Sequence, residues 1–143
     1  MSVPTDYAIA EIAIRDWART RTALTALLSG DTRLIDLTPH PTLPCIGMYR
    51  AGGAPLANVP VDVPTMAFQC WGPGGASTVT SSPMSALRLG TALIAEINQM
   101  GGKAMMPGVF ALDGTVLSFY WNPGAGDRPR YVVNATIALR RSA

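Results

Sequence analysis

Residues 131–139 read YVVNATIAL, and they alternate. Tyr131, Val133, Ala135, Ile137 and Leu139 point one way; Val132, Asn134, Thr136 and Ala138 point the other. Side chains of a strand leave the backbone on opposite faces in turn, so this pattern predicts a strand with one covered face. TMAFQCW at 65–71 repeats it, with Met66, Phe68 and Cys70 on the more apolar side. Two such strands demand a sheet, and a sheet with one apolar face demands something to cover it.

The cover comes from two helical stretches. Ser82 offers an N-cap and Pro83 a favourable first position, so a helix is predicted from there to about Met100, stopped by Gly101-Gly102. Ala86, Gly90, Leu93, Ile97 and Met100 fall on its inner face, with Arg88, Ala95 and Gln99 opposite. Gly90 costs about 1 kcal/mol of helix propensity there, which is offset if the helix comes close to the sheet. Near the N-terminus Ile9, Ala13 and Trp17 recur at helical spacing after Thr5 or Asp6, either of which can cap. The RTRT run at 19–22 interrupts that stripe. A helix over about 7–18 and a second near 22–28 are expected, with Gly30 in a left-handed cap.

The remainder reads as strands and connections. LPCIGMYR at 43–50 predicts a strand after an irregular 31–44. AGGAPLANVPVDVP at 51–64 is too rich in proline for central sheet. Strands at 109–112 and 116–121 flank Asp113-Gly114, a tight-hairpin signal. The expected fold is therefore one α+β domain over 1–143: an antiparallel sheet of about four to five strands, with a long helix and an N-terminal helix packed on one face.

Catalytic signatures are missing from the sequence. His40 is the single histidine and sits between prolines in TPHPTLP. No GxSxG surrounds a serine. The carboxylates are scattered singly. The glycine-rich pieces RAGGAP, WGPGGAS and MGGKAMMPG fit neither GxxxxGK[ST] nor GxGxxG. Two cysteines, Cys45 and Cys70, cannot close a zinc site alone; buried free thiols or one disulfide are the two options. No catalytic residue, metal or cofactor is expected. The N-terminus has no basic segment followed by an apolar core, and no apolar run reaches the roughly 20 residues of a membrane span, so a protein made in a cytoplasm is expected. Charged residues make up 14% of the chain, against roughly 25% in an average soluble domain. So few charges suggest that part of the surface is covered by a partner.

The segments YRAGG (49–53), DVPTMAFQCWG (62–72) and RYVVNATIALR (130–140), in this order around a Ser-started helix, resemble the tail terminator (tail completion) proteins of long-tailed bacteriophages, particularly those of actinobacterial hosts. The interruption at Arg19 and Arg21 departs from that pattern. The resemblance covers nearly the whole chain. It implies a non-enzymatic virion protein, assembled in the host cytoplasm, that forms a six-membered ring on the head-proximal end of the tail tube. The ring would end tube polymerisation and present a docking face for neck or head–tail connector proteins. Its partners would be copies of itself, the tail tube protein and the neck, with DNA passing through the lumen without specific binding and no membrane involved. Within that expectation the 51–64 connection and the 122–130 loop are the predicted contacts, through Gly52, Gly53, Leu56, Val59, Val61, Arg128, Arg130, Arg140 and Arg141. Another connector of similar fold is the alternative. A small hydrolase or ligand-binding protein using His40 and Cys45 is the third reading.

Overall fold

The computed structural model describes residues 3–54, 60–74, 82–106 and 108–141. Helix α1 runs Val3–Thr20. It starts ahead of Thr5 and Asp6, so neither caps it as expected. Pro4 stands in its first turn, where a missing N–H removes no intrahelical bond. The predicted break is real: Arg21 is extended (φ −85°, ψ 108°), and the four-residue α2, Thr22–Thr25, follows. A 3₁₀ turn, Ala26–Leu28, leads to Ser29 and Gly30, both left-handed.

Seven strands form one curled sheet: β1 (Ile35–Asp36), β2 (Cys45–Gly52), β3 (Val61–Asp62), β4 (Thr65–Trp71), β5 (Ala104–Met106), β6 (Val109–Trp121) and β7 (Arg130–Arg141). Helix α3, Ser82–Ile97, joins β4 to β5. The order is β1-β2-β4-β7-β6-β5, with β3 also pairing β7. β1 runs parallel to β2 and the other pairs are antiparallel, so the sheet is mixed. The architecture is α+β, with more strands than the four to five expected. Two of the extra strands have only two residues, too short to show a period.

The expected hairpin at Asp113-Gly114 does not exist. β6 passes straight through, with register shifts between Ala111 and Asp113 and between Val116 and Ser118. Here the glycine answers to packing. A Cβ on Gly114 would lie 2.5 Å from Met100 Sδ and 2.9 Å from the Ile97 carbonyl oxygen. Asp113 Oδ1 accepts the Gly114 N–H at 2.9 Å, which secures the bulge.

Facing residues on neighbouring strands share a face. One row is Met48, Phe68, Val133 and Phe119; the next is Ile46, Cys70, Tyr131 and Trp121. Met48, Phe68, Val133, Ile46 and Cys70 are essentially inaccessible. α3 lies against β4, β6 and β7, while α1 lies against β1, β2 and β5. Leu89, Leu93, Ile97 and Met100 are buried in the same core. Gly90 does allow the close approach expected of it: a Cβ there would sit 2.5 Å from Phe119 Cε1. Arg21 Nε donates to Glu96 Oε1 at 2.6 Å, tying the start of α2 to the end of α3.

The rows on the other face are Gly47, Gln69, Val132 and Tyr120, then Tyr49, Ala67, Asn134 and Ser118. This face is not uniformly wet. Val132 and Ala67 are buried in its middle, while Tyr49 and Tyr120 at its flanks are nearly half exposed.

Candidate interaction surface

β7 separates the predicted contact residues into two groups. Its twelve residues span roughly 40 Å at about 3.3 Å each. Arg128 and Arg130 lie at its start, Arg140 and Arg141 at its end.

At the start, two guanidinium groups lie against Trp71. The Cζ atoms of Arg128 and Arg130 each lie 4.6 Å from its ring centroid. A Cβ on Gly124 would touch the same ring at 2.4 Å, so the 122–130 turn closes tightly on the indole. Arg128 is turned inward. Its Nε donates to the Gly72 carbonyl (3.0 Å), one terminal nitrogen to His40 (2.8 Å) and Pro41 (3.0 Å), and the other to Leu43 (2.8 Å). Arg130 donates to the Asn122 carbonyl at 2.7 Å. The loop before β2 is thus fastened over β2, where Pro39 lies against Gly47.

At the end of β7 the 51–64 connection returns to the sheet. Gly53 has φ +83°, and a Cβ there would collide with the Val63 carbonyl oxygen at 2.1 Å, so this glycine is required by the turn. Gly52 has open space beside it. Val61 faces Arg140, the Arg141 N–H donates to Pro60, and the Ile137 N–H donates to Pro64. A bidentate ion pair fixes the segment: Arg50 meets Asp62 at 2.8 and 2.7 Å. Their side chains are only 9% and 14% exposed. Leu56 and Val59, also predicted contacts, lie outside the described residues. So Gly53, Val61, Arg140 and Arg141 gather at one end of β7. Pro60, Gly102, Phe110, Ala111, Leu112, Arg140 and Arg141 line a cavity of about 530 Å³ there.

Sequence reasoning missed the exposed apolar groups of β6 and Tyr49 of β2. Among the described residues nine large apolar side chains are exposed, and six are on these two strands: Tyr49, Phe110, Leu112, Leu117, Tyr120 and Trp121. Leu112 and Leu117 stand at the two register shifts of β6, where the alternation slips and turns them outward. The signal was the apolar content on both sides of 109–121, hidden by splitting the stretch at Asp113-Gly114.

His40 Nδ1 and the Cys45 thiol both take part in hydrogen bonds within the loop. His40 Nδ1 accepts the N–H groups of Thr42 and Leu43 at 3.1 and 3.0 Å. The Cys45 thiol meets the His40 backbone, with N–H to Sγ at 3.3 Å. Both thiols are free and buried. Cys45 faces Trp71 and Cys70 faces Ile46 across the same strand pair, so they leave opposite faces and no disulfide joins them. Among the described residues no three His, Cys, Asp or Glu side chains group as a metal site. No helix among them is long and apolar enough to cross a membrane.

Burial raises both thiol pKa values above the ordinary 9.0; at Cys45 the His40 N–H and Arg128 partly oppose it, and at Cys70 the nearby Cys45 adds to it. On the surface, the Arg33 hydrogen bond lowers the Asp31 carboxyl. The thiols give a pH prediction. Unfolded cysteines ionise near pH 9, whereas the folded ones stay protonated, so rising pH favours the unfolded chain. Stability should hold below that point and fall above it by up to about 1.4 kcal/mol per pH unit for each thiol. Urea denaturation midpoints on either side of pH ~9 measure the slope, and Cys70→Ala should flatten it.

No protein-family model matches the chain, and no curated protein matches it.

Proposed function

We propose that this chain is a ring-forming structural protein of a phage tail, a tail terminator that caps the head-proximal end of the tail tube and joins it to the neck. The single observation that carries this reading is the concentration of five exposed apolar side chains on β6, with exposed Tyr49 on β2 at the other flank of the four long strands. Monomers rarely expose such groups together without covering them in an assembly. α1 and α3 are taken to cover one face of the sheet, leaving its flanks to neighbouring copies. Two different flanks on one subunit make a head-to-tail contact, which closes into a ring when the rotation allows. The tail tube and the neck proteins are the partners above and below, and DNA crosses the lumen. The chemistry is geometric: no reacting group or cofactor is assigned.

Light scattering on the purified chain, alone and with tail tubes, tests this. Six copies of a 15.1 kDa chain, about 91 kDa, are expected as a ring or as a cap on tube ends. A chain that stays monomeric alone and leaves tube ends bare counts against it. Virion images placing the chain away from the tube end would favour a neck connector instead.

A further inference from the structure

β6 is thirteen residues long and pairs with β7 along its whole length. Its other side is barely used. β5 reaches only Val109 and Phe110, and the Gly102–Lys103 backbone bonds Ala111. From 112 to 121 no described residue pairs with the outer edge. The opposite flank is similar. β1 pairs with Ile46 and Gly47 alone, and among the described residues no strand pairs with 48–52 of β2 on that side.

Open edges present rows of unpaired N–H and C=O groups, and natural proteins usually blunt them with lysine, proline, charge or bulges. Here 112–121 reads LDGTVLSFYW, with no Lys or Pro and one carboxylate near its beginning. Its defences are two bulges. Beside these edges stand exposed Tyr49 on β2 and exposed Leu117 and Tyr120 on β6.

The polarity of the block decides which partner fits. β2, β4, β7 and β6 are neighbours, each antiparallel to the next. Four strands is an even number, so β2 and β6 run in opposite directions. In a head-to-tail ring every copy points the same way relative to the axis. The β6 of one copy therefore meets the β2 of the next antiparallel, the pairing already present at each internal step of the block. An odd number would have forced a parallel contact. A five-residue open segment matches the usual length of a strand.

We propose that the outer edge of β6, within 112–121, pairs antiparallel with the outer edge of β2, 48–52, of a neighbouring copy, so that the sheet continues around the ring. This presupposes the ring proposed above and names its contact. Leu117 and Tyr120 then pack beside Tyr49 of the neighbour, which explains why these side chains are bare in a single copy.

Leu117→Lys and Tyr49→Lys, each made in the full chain, place a charge at an exposed position on one edge. Each is expected to keep the parental melting temperature as a monomer and to lose assembly, alone or on tubes, at concentrations where the parent assembles. Hydrogen exchange on the parent is the second arm, independent of any variant: amides in 112–121 and 48–52 should slow on assembly. If the parent assembles with those amides unprotected, or both variants assemble like the parent, the edge pairing is wrong and the ring survives. If the parent never assembles, alone or with tubes, the ring and the edge pairing fall together.

Discussion

Asp62→Ala should destabilise the chain by about 3 kcal/mol, a fall of roughly 10 °C in melting temperature. Asp62 is the bidentate partner of Arg50, and both side chains are almost out of solvent. Removing one member of such a pair leaves the other charge less well compensated in a low-dielectric setting, which typically costs 3–5 kcal/mol. Arg50 also occupies the core face, directly across from Met66. The loss should be local as well as global. Val61 and Asp62 are the whole of β3, so the segment's hold on β7 at Arg140 and Leu139 should weaken. Asp62→Asn keeps the shape but not the charge and should lie in between. Replacing the pair with Arg50→Met and Asp62→Leu together should recover much of the loss, because neither member is then left buried without the other. Thermal melts of the parent, Arg50→Met, Asp62→Leu and the double variant close a cycle that measures the coupling directly. A single Asp62→Ala variant within 0.5 kcal/mol of the parent would show that water or the other contacts of Arg50 replace the carboxylate.

The parts of this fold that were legible in the sequence share one property: their signal is local and periodic. The alternation at 131–139 and 65–71 gave the faces of β7 and β4, with Met66, Phe68, Cys70, Val133, Ala135 and Ile137 all buried as expected. Ser82-Pro83 marked the start of α3, which ends at Ile97, about a turn short of the expected Met100, and RTRT marked the break at Arg21. What failed was local chemistry overruled by distant packing. Asp113-Gly114 has the residues of a hairpin turn, yet Met100 and the end of α3 need that glycine beneath them, so the strand continues. β1 and β3, two residues each, exist because β2 and β7 offer them an edge. The candidate contacts divide in the same way. Val61 and Arg140 do come together, since they face each other across a ladder. Arg128 was expected to look outward, and its main partners are carbonyls 56 to 88 residues away in the chain, which no spacing rule reveals.

Those carbonyls make Arg128→Ala the second large effect. One guanidinium serves the oxygens of Gly72, His40, Pro41 and Leu43, and its carbon lies 4.6 Å from the Trp71 ring centroid. Hydrogen bonds from a charged donor are worth about 1.5–3 kcal/mol each when intact. The outer ones are exposed to water, which takes over part of their role, so a net loss of about 3 kcal/mol is expected. Arg128→Lys should restore little. An ammonium group has three donors at one point and no plane, so it cannot span four carbonyls or stack on the indole. The damage should spread along the loop before β2, since Arg128 is the clasp that holds 40–43 down. Cys45 lies under that clasp, with Sγ 3.9 Å from an Arg128 terminal nitrogen. Its thiol should therefore react faster with a soluble disulfide reagent in Arg128→Ala, while Cys70, sealed on the other face of the strand pair, should not change. That contrast separates a loosened loop from a generally unfolded chain. Equal acceleration at both thiols would mean the whole sheet had opened. No acceleration, together with a stability change within 0.5 kcal/mol, would mean that Arg128 behaves as an ordinary surface arginine.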